Sequence, residues 1–309
     1  MTNKMKIAFT SCSNVIKQGD YQPIWGIIHG LKPDLLLLLG DNVYMGPGKF
    51  NASRLEKRYK QQLAEPHFNK LLCDVPYLAV WDNHDFGLNI VGTNVMTATQ
   101  RRISRDLFNE YLKYRSKRPY TSEVYCTYTI GKVKVIMLDV RSYQQVPGNN
   151  KTLLGKCQED WLIDEMHTED HRYTLICSGL PYSYRQGGWM KYKNWFDRFN
   201  REVARAPKPI FLGGGIHKNY FQHHIVTGTP IIKSTIKKQS LPWTPWDANL
   251  YEAISSGVGI NTENWTGIPR NNYGIIDFKE STVEITLYSQ QPDHFFHRVI
   301  NKNNWELVD

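Results

Sequence analysis

The chain has 309 residues, of which 41% are hydrophobic and 13% aromatic, and this composition excludes the weakly hydrophobic class of disordered proteins. Lysine and arginine exceed aspartate and glutamate by 38 to 29, which favours anionic partners such as phosphate esters, nucleotides, nucleic acid or anionic lipid. A basic surface that serves solubility alone is the alternative explanation. No apolar segment approaches the roughly 18 residues of a membrane-spanning helix, so no membrane span is expected.

The start of the chain and its cysteines bear on the cellular compartment. Residues 1–6 lead into the first strand without the apolar core or cleavage site of a secretory signal. The five cysteines are an odd number and include no C-x-x-C pair, which argues against a disulfide framework. Both observations predict a cytoplasmic protein in a reducing compartment.

Three early segments of strand length end at polar side chains. Each segment is an apolar run of the kind that forms a buried strand. Proteins of the α/β class place their active sites where such strands end at the rim of the sheet. In chain order, the runs and the polar groups that close them are Lys6–Ser13 with Cys12, Leu35–Leu39 with Asp41, Asn42 and Tyr44, and Tyr77–Trp81 with Asp82, Asn83, His84 and Asp85.

Helical and strand-like patterns alternate over the first half of the chain, and strands dominate the second half, which predicts an α/β fold. No Ser/Gly-rich or charged linker divides the chain, so we expect one domain, residues 1–309, with two sheets. The predicted helices cover 21–30, 53–63, 96–113, 157–169 and 189–205. The further predicted strands cover 124–130, 133–139, 173–177, 210–212, 221–227, 230–233, 253–256, 274–278 and 282–288.

The polar groups at the strand ends suit the hydrolysis of phosphoric esters. This reaction requires an oxygen nucleophile, neutralisation of the phosphoryl oxygens and a proton for the leaving group, and two metal ions about 3.5–4 Å apart supply the first two. Asp41 has two oxygens and a full charge, so it could bridge two ions, while Asn83 offers a neutral oxygen. His84 follows at once and could protonate the leaving group.

Three further donors indicate which metal the site prefers. His217 follows a Gly-rich strand end and offers an imidazole nitrogen. Cys12 as a thiolate is a soft donor and Tyr44 as a phenolate is a strong one. Together they favour ferric iron over magnesium alone.

The order of these motifs resembles that of the calcineurin-like metallophosphoesterases, and more closely that of their alkaline phosphatase D, or PhoD-like, branch. The resemblance covers nearly the whole chain, and its specificity comes from the ordered set rather than from any one tetrapeptide. The motifs are Ser11-Cys12, Gly40-Asp41-Asn42-Val43-Tyr44, Trp81-Asp82-Asn83-His84-Asp85, Leu138-Asp139-Val140-Arg141, the run Leu153–Leu162, Gly-x-His at 215–217, and Ser255-Ser256-Gly257.

The resemblance implies a four-layer α/β/β/α sandwich of two mixed sheets around a dinuclear or multinuclear metal centre. In the PhoD-like branch that centre is typically Fe³⁺ with Ca²⁺, and Mn²⁺, Zn²⁺ or Mg²⁺ are the alternatives. The residues that the resemblance assigns as metal ligands are Cys12, Asp41, Tyr44, Asn83 and His217. It also places Asp82 and Arg141 close to the site, so we expect a catalytic group of His84, Arg141 and Asp82.

The sequence departs from the family pattern at Gly215. The last family motif is usually Gly-Asp-x-His, and Gly215 stands where the aspartate would be. The loss of that carboxylate would weaken the second metal or lower the rate, unless Asp82 or Asp85 compensates. General calcineurin-like enzymes also place a histidine ligand after the strand at 173–177, where this chain has Ser178–Pro181, as the PhoD-like branch does.

Several of these residues also have a plainer interpretation. Cys12 could be a small buried hydrophobe, Asp41 a helix cap, and Arg141 a structural partner for Asp139. His223 and His224 lie in a strand-like run and therefore point to opposite faces of a sheet, so a shared metal is not expected. The spacing of His294 and His297 is helical, but a surface segment explains it equally well.

The leading hypothesis is a metal-dependent phosphomonoesterase or phosphodiesterase that uses a metal-activated hydroxide, with an anionic phosphoester as substrate. The alternative is a catalytically weakened or degenerate family member that acts as a phosphate-ligand-binding or regulatory protein. This alternative arises because Gly215 replaces the usual aspartate. A nuclease is a third candidate because of the basic charge, although nucleic acid is not the favoured partner. The natural substrate and the oligomeric state stay open.

Overall fold

The computed structural model describes residues 4–87, 96–113, 123–183, 188–227, 247–259, 271–289 and 295–308. Its strands in these ranges are β1 Met5–Thr10, β2 Leu35–Leu39, β3 Tyr77–Val80, β4 Cys126–Ile130, β5 Val133–Met137, β6 Tyr173–Cys177, β7 Pro209–Gly213, β8 Asn219–Thr227, β9 Asp247–Ser255, β10 Asn272–Phe278, β11 Thr282–Ser289 and β12 Phe295–Asn301. Its helices there are α1 Val15–Gln18, α2 Pro23–Gly30, α3 Ala52–Ala64, α4 Pro66–Asp74, α5 Asn83–Phe86, α6 Ala98–Tyr111, α7 Lys156–Met166 and α8 Lys193–Val203.

The first sheet has six strands in the order β12-β11-β10-β1-β2-β3. The strands β1, β2 and β3 run parallel, whereas β10, β11 and β12 form antiparallel pairs. All five leucines of β2 are buried, because a parallel strand covered on both faces has no solvent side and shows no polar alternation. Burial of each such side chain contributes about 1.5–3 kcal/mol to folding.

The second sheet also has six strands, in the order β4-β5-β6-β7-β9-β8. Here β5, β6, β7 and β9 run parallel, and β4 and β8 pair antiparallel at the two edges. The hairpin β4–β5 turns at Gly131, which has φ +57°. The sequence predicted this hairpin from its Gly-Lys dipeptide.

The two sheets pack face to face with helices on both outer sides. A single core cluster joins Ile276 of β10 to Leu175 of β6 and Leu212 of β7. Helices α2, α4 and α6 bury apolar side chains in the same cluster. A second cluster packs α7 and α8 onto the outer face of the second sheet through Leu162 and Phe199. The predicted four-layer α/β/β/α sandwich is therefore confirmed.

This architecture brings the carboxyl ends of the parallel strands of both sheets to one edge. The indole Nε1 of Trp81, after β3, donates to Asp139 Oδ1, after β5, at 2.7 Å. The backbone N–H of Cys12, after β1, donates to the carbonyl of Gly40, after β2, at 3.1 Å. Loops from separate parts of the sequence thus meet at this edge.

Most predicted elements occur with small shifts at their ends, but the helix predicted over 189–205 is interrupted. Trp189–Lys191 forms a separate 3-10 turn, and Tyr192, with φ −107° and ψ 65°, leaves the helical region before α8 begins. Next to this break the Trp189 ring is buried, and its Nε1 donates to Ser178 Oγ at 3.2 Å.

Among the described residues, sequence reasoning missed four elements, namely the one-turn helices α1 and α5, helix α4 and strand β12. Helix α4 carries Glu65 as its N-cap, which accepts from Phe68 N at 2.6 Å, and proline at its first position, and this pair is a recognisable start signal. Strand β12 includes His297, so the helical spacing noted around it does not reflect a helix. The predicted strand over 230–233 and His294 lie outside the described residues.

The cysteines and the helices bear on the predicted compartment and on the expected absence of a membrane span. All five cysteines are free. In the part of the chain that the structure describes, no helix is both long and apolar enough to cross a bilayer.

Candidate metal centre

Cys12, Asp41 and His217 form a cluster at the edge where the strands end. The thiol, one carboxylate oxygen and one imidazole nitrogen all lie within 4.8 Å of one another. Cys12 follows β1, Asp41 follows β2 and His217 follows β7, so both sheets contribute. The Cys12 Sγ and Asp41 Oδ2 atoms are 3.6 Å apart, and both side chains are almost fully buried.

All three residues adopt left-handed backbone conformations. Cys12 has φ +63°, Asp41 has φ +50° and His217 has φ +56°. Non-glycine residues seldom adopt such angles, which cost about 1–3 kcal/mol each and persist mainly at functional sites. The sharp turn after each strand aims these side chains toward a common point.

Tyr44 completes the cluster from the loop after β2. Its hydroxyl donates to Asp41 Oδ2 at 3.1 Å and lies 3.4 Å from His217 Nε2. Its ring also packs on the imidazole of His84, with the ring centres 3.9 Å apart. Tyr44 therefore contacts both the donor cluster and the expected proton donor.

Ser256 organises the cluster, and sequence reasoning assigned it no role. Its Oγ accepts from the backbone N–H of Ile216 and of His217, both at 3.1 Å, and lies 3.2 Å from Cys12 Sγ. It thereby fixes the turn that carries His217 beside the thiol. The signal available in the sequence was the Ser-Ser-Gly run directly after a strand.

The donors of the cluster are buried without an ion-pair partner from the part of the chain that the structure describes, although the backbone N–H of His84 and the charge of Arg141 oppose the rise in the pKa of Asp41. Burial is the main cause that raises the pKa of Cys12, Asp41 and Tyr44, and the Asp41 charge raises the pKa of the other two further. Among the described residues, Asp41 has no basic side chain within ion-pair distance. Buried ionised groups are normally paired, so this arrangement fits a cation.

His84 and Asn83 lie on the first turn of α5, beside Asp41. The backbone N–H of His84 donates to Asp41 Oδ1 at 3.0 Å. Burial lowers the pKa of His84 to about 4, with Arg141 adding to the shift and Asp82 opposing it. Asn83 Oδ1 lies 3.4 Å from Arg141 Nη2, so its amide faces the guanidinium.

Asp82 and Arg141 form a buried ion pair that links the two sheets. Arg141 Nε donates to Asp82 Oδ1 at 2.5 Å, and Arg141 Nη1 donates to Gln144 Oε1 at 2.8 Å. Burial raises the pKa of Asp82 to about 6 although Arg141 opposes the shift. Arg141 was expected to lie close to the site or to be a structural partner for Asp139, and its guanidinium forms an ion pair with Asp82.

Asp139 positions the loop that carries Arg141. Its Oδ1 accepts from the backbone N–H of Arg141 and of Ser142, both at 2.9 Å, as well as from the Trp81 indole. The Ser142 hydroxyl donates to Asp139 Oδ2 at 2.6 Å. Asp139 is thus a structural partner of Arg141 through the backbone N–H of Arg141, and not through its guanidinium.

Asp85 holds the second and third strand ends together. Its carboxylate accepts from the backbone N–H of Val43 at 3.1 Å and of Asp82 at 3.0 Å, and it is fully buried. These contacts cap α5 and direct the carboxylate to the backbone. Asp85 is therefore a structural support of the site.

Gly215 lies against Asp82 in a conformation that favours glycine. Its φ is +77°, and a Cβ there would lie 2.9 Å from the carbonyl oxygen of Gly179 and 3.4 Å from Asp82 Oδ2. A side chain at this position would strain the backbone and crowd that carbonyl. The Asp82 carboxylate already occupies the neighbourhood of the missing aspartate.

Other histidines considered from the sequence have separate partners. On adjacent positions of β8, His223 Nε2 lies 2.8 Å from Asn249 Oδ1, while His224 Nε2 lies 3.4 Å from Glu252 Oε2. His297 Nδ1 lies 2.9 Å from Thr286 Oγ1. Each ring therefore has an ordinary hydrogen-bond partner.

The chain is similar to a known protein family and to solved structures. A family model described as PhoD-like phosphatase matches residues 7–281. A solved structure of PhoD superposes with a TM-score of 0.73 at 16% identity, over 99% of this chain and 72% of that one. Purple acid phosphatase PPD1 from yellow lupin (Lupinus luteus) seeds superposes with a TM-score of 0.55 at 12% identity, over 100% of this chain and 53% of that one. A comparison with curated proteins finds no match.

The fold is thus that of the metallophosphoesterases, with the polar strand ends gathered at one edge. Since the family model covers most of the sequence, the chain belongs to the PhoD-like phosphatase family. It is a phosphoesterase, and its substrate is a phosphoric ester.

Proposed function

We propose that this phosphoesterase depends on a metal centre held by Cys12, Asp41, Tyr44, Asn83 and His217. The observation that carries the proposal is the buried cluster of Cys12, Asp41 and His217, whose donor atoms lie within 4.8 Å of one another. A cation would lower the pKa values that burial raises, and it would neutralise the Asp41 carboxylate.

The donor types support iron with a second, harder ion. A thiolate, a phenolate and an imidazole suit a transition metal, which points to Fe³⁺. Carboxylate and amide oxygens from Asp41 and Asn83 suit Ca²⁺. Metal ions bound there would supply Lewis acidity toward the phosphoryl oxygens and lower the pKa of water to near neutrality.

His84 is the proton donor in this proposal. Tyr44 packs on its ring and fixes the ring orientation, with ring centres 3.9 Å apart. Burial lowers its pKa to about 4, and the negative charge of a phosphate ester would favour the imidazolium again. The imidazolium then gives its proton to the departing ester oxygen.

Asp82 and Arg141 position the site in this proposal. Arg141 holds Asp82 in place through Nε, and its Nη2 lies 3.4 Å from Asn83 Oδ1. Arg141 therefore orients a ligand amide and contributes positive charge where a phosphoryl group would sit. Asp82 stands beside Gly215, so we infer that it takes over the electrostatic role of the missing family aspartate.

Metal dependence is tested by chelation and reconstitution. Purified protein should contain stoichiometric metal and show the absorption band of a phenolate bound to ferric iron. Removal of the metal should abolish hydrolysis of p-nitrophenyl phosphate, and re-addition of Fe³⁺ and Ca²⁺ should restore it. Full activity of metal-free protein would refute the proposal, and absence of metal after iron- and calcium-replete expression would favour the weakened-member alternative.

The role of His84 is tested by His84→Ala. Turnover of an alkyl phosphate should fall by about 10²–10⁴-fold, because the leaving alkoxide loses its acid. The loss should be smaller for p-nitrophenyl phosphate, since nitrophenolate leaves without a proton. Equal losses on both substrates would remove His84 from the proton-transfer step, and His223→Ala on β8 serves as the matched control.

A further inference from the structure

A second, basic cavity lies at the opposite edge of the two sheets from the metal centre. It has a volume of about 660 Å³ and is bordered by the beginnings of the strands, including Met5 of β1, Val133 of β5 and Tyr173 of β6. The metal donors Cys12, Asp41 and His217 follow the far ends of β1, β2 and β7, and the cavity residues Asp34 and Lys208 directly precede β2 and β7. Since β1 has six residues at about 3.3 Å each, the two sites are about 20 Å apart.

The lining of this cavity is strongly cationic. Five basic side chains face two carboxylates, those of Asp34 and Glu280. One of these carboxylates is engaged, because Asp34 Oδ2 accepts from the backbone N–H of Lys6 at 2.7 Å. The basic side chains are Lys4, Lys132, Arg172, Lys208 and Lys302.

Lys208 and Lys302 place two ammonium groups over one aromatic ring. Their Nζ atoms lie 5.5 and 5.7 Å from the centre of the buried Tyr173 ring. Burial is the main cause that lowers the pKa of both lysines. Arg172 lowers the pKa of Lys208 further, and Lys208 lowers that of Lys302, where Asp277 opposes the shift. The protein therefore holds like charges close together at this point.

The described residues provide no carboxylate within ion-pair distance of either lysine. Lys208 Nζ donates to the carbonyl of Lys302, and Lys302 Nζ donates to the carbonyl of Lys279. An ammonium group has three N–H donors, so each lysine keeps donors for a further acceptor. Partly buried like charges that are held together in a concave site are the usual setting for a multiply charged anion.

The size and floor of the cavity indicate an organic anion rather than a bare ion. A volume of about 660 Å³ lies in the range of small-molecule sites and is far more than orthophosphate requires. The floor includes the buried apolar side chains of Met5, Val133 and Phe278. These surfaces suit the apolar or aromatic part of a ligand, while the lysines suit its charged part.

We propose that this cavity binds a phosphate-bearing organic anion of about nucleotide size, at a site separate from the metal centre. The lysine pair would contact the phosphate groups, and Lys132 and Arg172 on the exposed rim would attract the ligand. The proposal does not depend on metal at the other edge.

The test is calorimetric titration of the metal-loaded protein with a non-hydrolysable ATP analogue, orthophosphate and adenosine. Wild type should show a binding component that K208Q/K302Q weakens by about tenfold or more, because two charge-assisted contacts are lost. Hydrolysis of p-nitrophenyl phosphate should stay within about twofold in that variant. The matched control K193Q removes an exposed lysine on α8 and should change neither quantity.

Each outcome of this experiment decides the proposal. Equal analogue binding by wild type and K208Q/K302Q would overturn it, and so would adenosine or orthophosphate binding as tightly as the analogue in the component that K208Q/K302Q weakens. If K208Q/K302Q fails to fold, the exposed rim variant K132Q/R172Q replaces it and should still weaken analogue binding measurably, with unchanged binding refuting the proposal. Failure of hydrolysis in wild type would instead concern the metal centre.

Discussion

The two edges of the sandwich carry ionisable side chains of opposite type, acids at one edge and bases at the other. Where the parallel strands end, Cys12, Asp41 and Tyr44 gather acidic donors whose pKa values burial raises. Where the same strands begin, Lys208 and Lys302 gather ammonium groups whose pKa values burial lowers. Burial without an ion-pair partner from the described residues disfavours the charged forms of the groups at both edges, which fits a cation at the first edge and an anion at the second.

The difference also shows which groups the chain supports most firmly. The acidic edge is fixed by left-handed turns, by the Ser256 hydroxyl and by hydrogen bonds across both sheets. The basic edge relies on long lysine side chains that end at backbone carbonyls. We therefore expect substitutions at the acidic edge to have the larger consequences.

The largest expected effect comes from Asp41→Asn. This change keeps the shape but removes the charge that would hold two metal ions, so kcat/KM for p-nitrophenyl phosphate should fall by about 10³-fold or more. Metal content, measured by elemental analysis, should fall in parallel. Binding of the ATP analogue at the basic cavity should not change.

The stability of metal-free Asp41→Asn to urea tests the role of this residue in a second way. Because burial raises the pKa of Asp41, the folded state disfavours the charged carboxylate at neutral pH, and the amide removes that cost. Metal-free variant should therefore be at least as stable to urea as metal-free wild type. A clear loss of stability would mean that Asp41 is a structural residue, and Asp197→Asn, at an exposed position of α8, is the control.

Arg141→Met should have the next largest effect, on stability as well as activity. Asp82 would be left as a buried charge without its guanidinium, which costs about 3–5 kcal/mol in the free energy of unfolding. Urea denaturation measures this loss. The double variant Asp82→Asn/Arg141→Met should recover much of it, and if it recovers none, the pair is not the source of the loss.

Gly215→Asp should give the smallest effect. It should lower activity, whereas the family motif would suggest that the aspartate raises it. The strained φ and the Gly179 carbonyl should lower the free energy of unfolding by about 1–3 kcal/mol, and the new charge beside Asp82 should lower activity. Gly215→Ala separates backbone strain from charge. An increase in activity with the aspartate would show instead that the site is incomplete as it stands.

The sequence predicted the fold and the grouping of the strand ends because both depend on local patterns. Apolar runs such as Leu35–Leu39 are typical of buried parallel strands. Polar residues that directly follow parallel strands of one sheet lie at the same edge of that sheet. The strand 173–177 was predicted with the bounds that the structure has. Hence the convergence of Cys12, Asp41 and His217 followed from strand order.

Contacts between distant loops could not be predicted in this way. The partner of Arg141 is Asp82, 59 positions away, and only the packing of the two sheets brings them together. The role of Ser256 depends on its approach to Cys12, 244 positions away, which no local pattern encodes. The sequence did not predict the lysine pair of the basic cavity, because Lys208 and Lys302 are 94 positions apart in the chain.

The left-handed turn at Cys12 has a consequence for changing the metal preference of the centre. Asparagine, aspartate and histidine tolerate this backbone conformation comparatively well, whereas β-branched residues do not. Replacement of the sulfur by an oxygen ligand through Cys12→Asp is therefore compatible with the main chain, while Cys12→Thr or Cys12→Val is not. As far as the main chain is concerned, the turn would thus permit an exchange of a soft donor for a hard one.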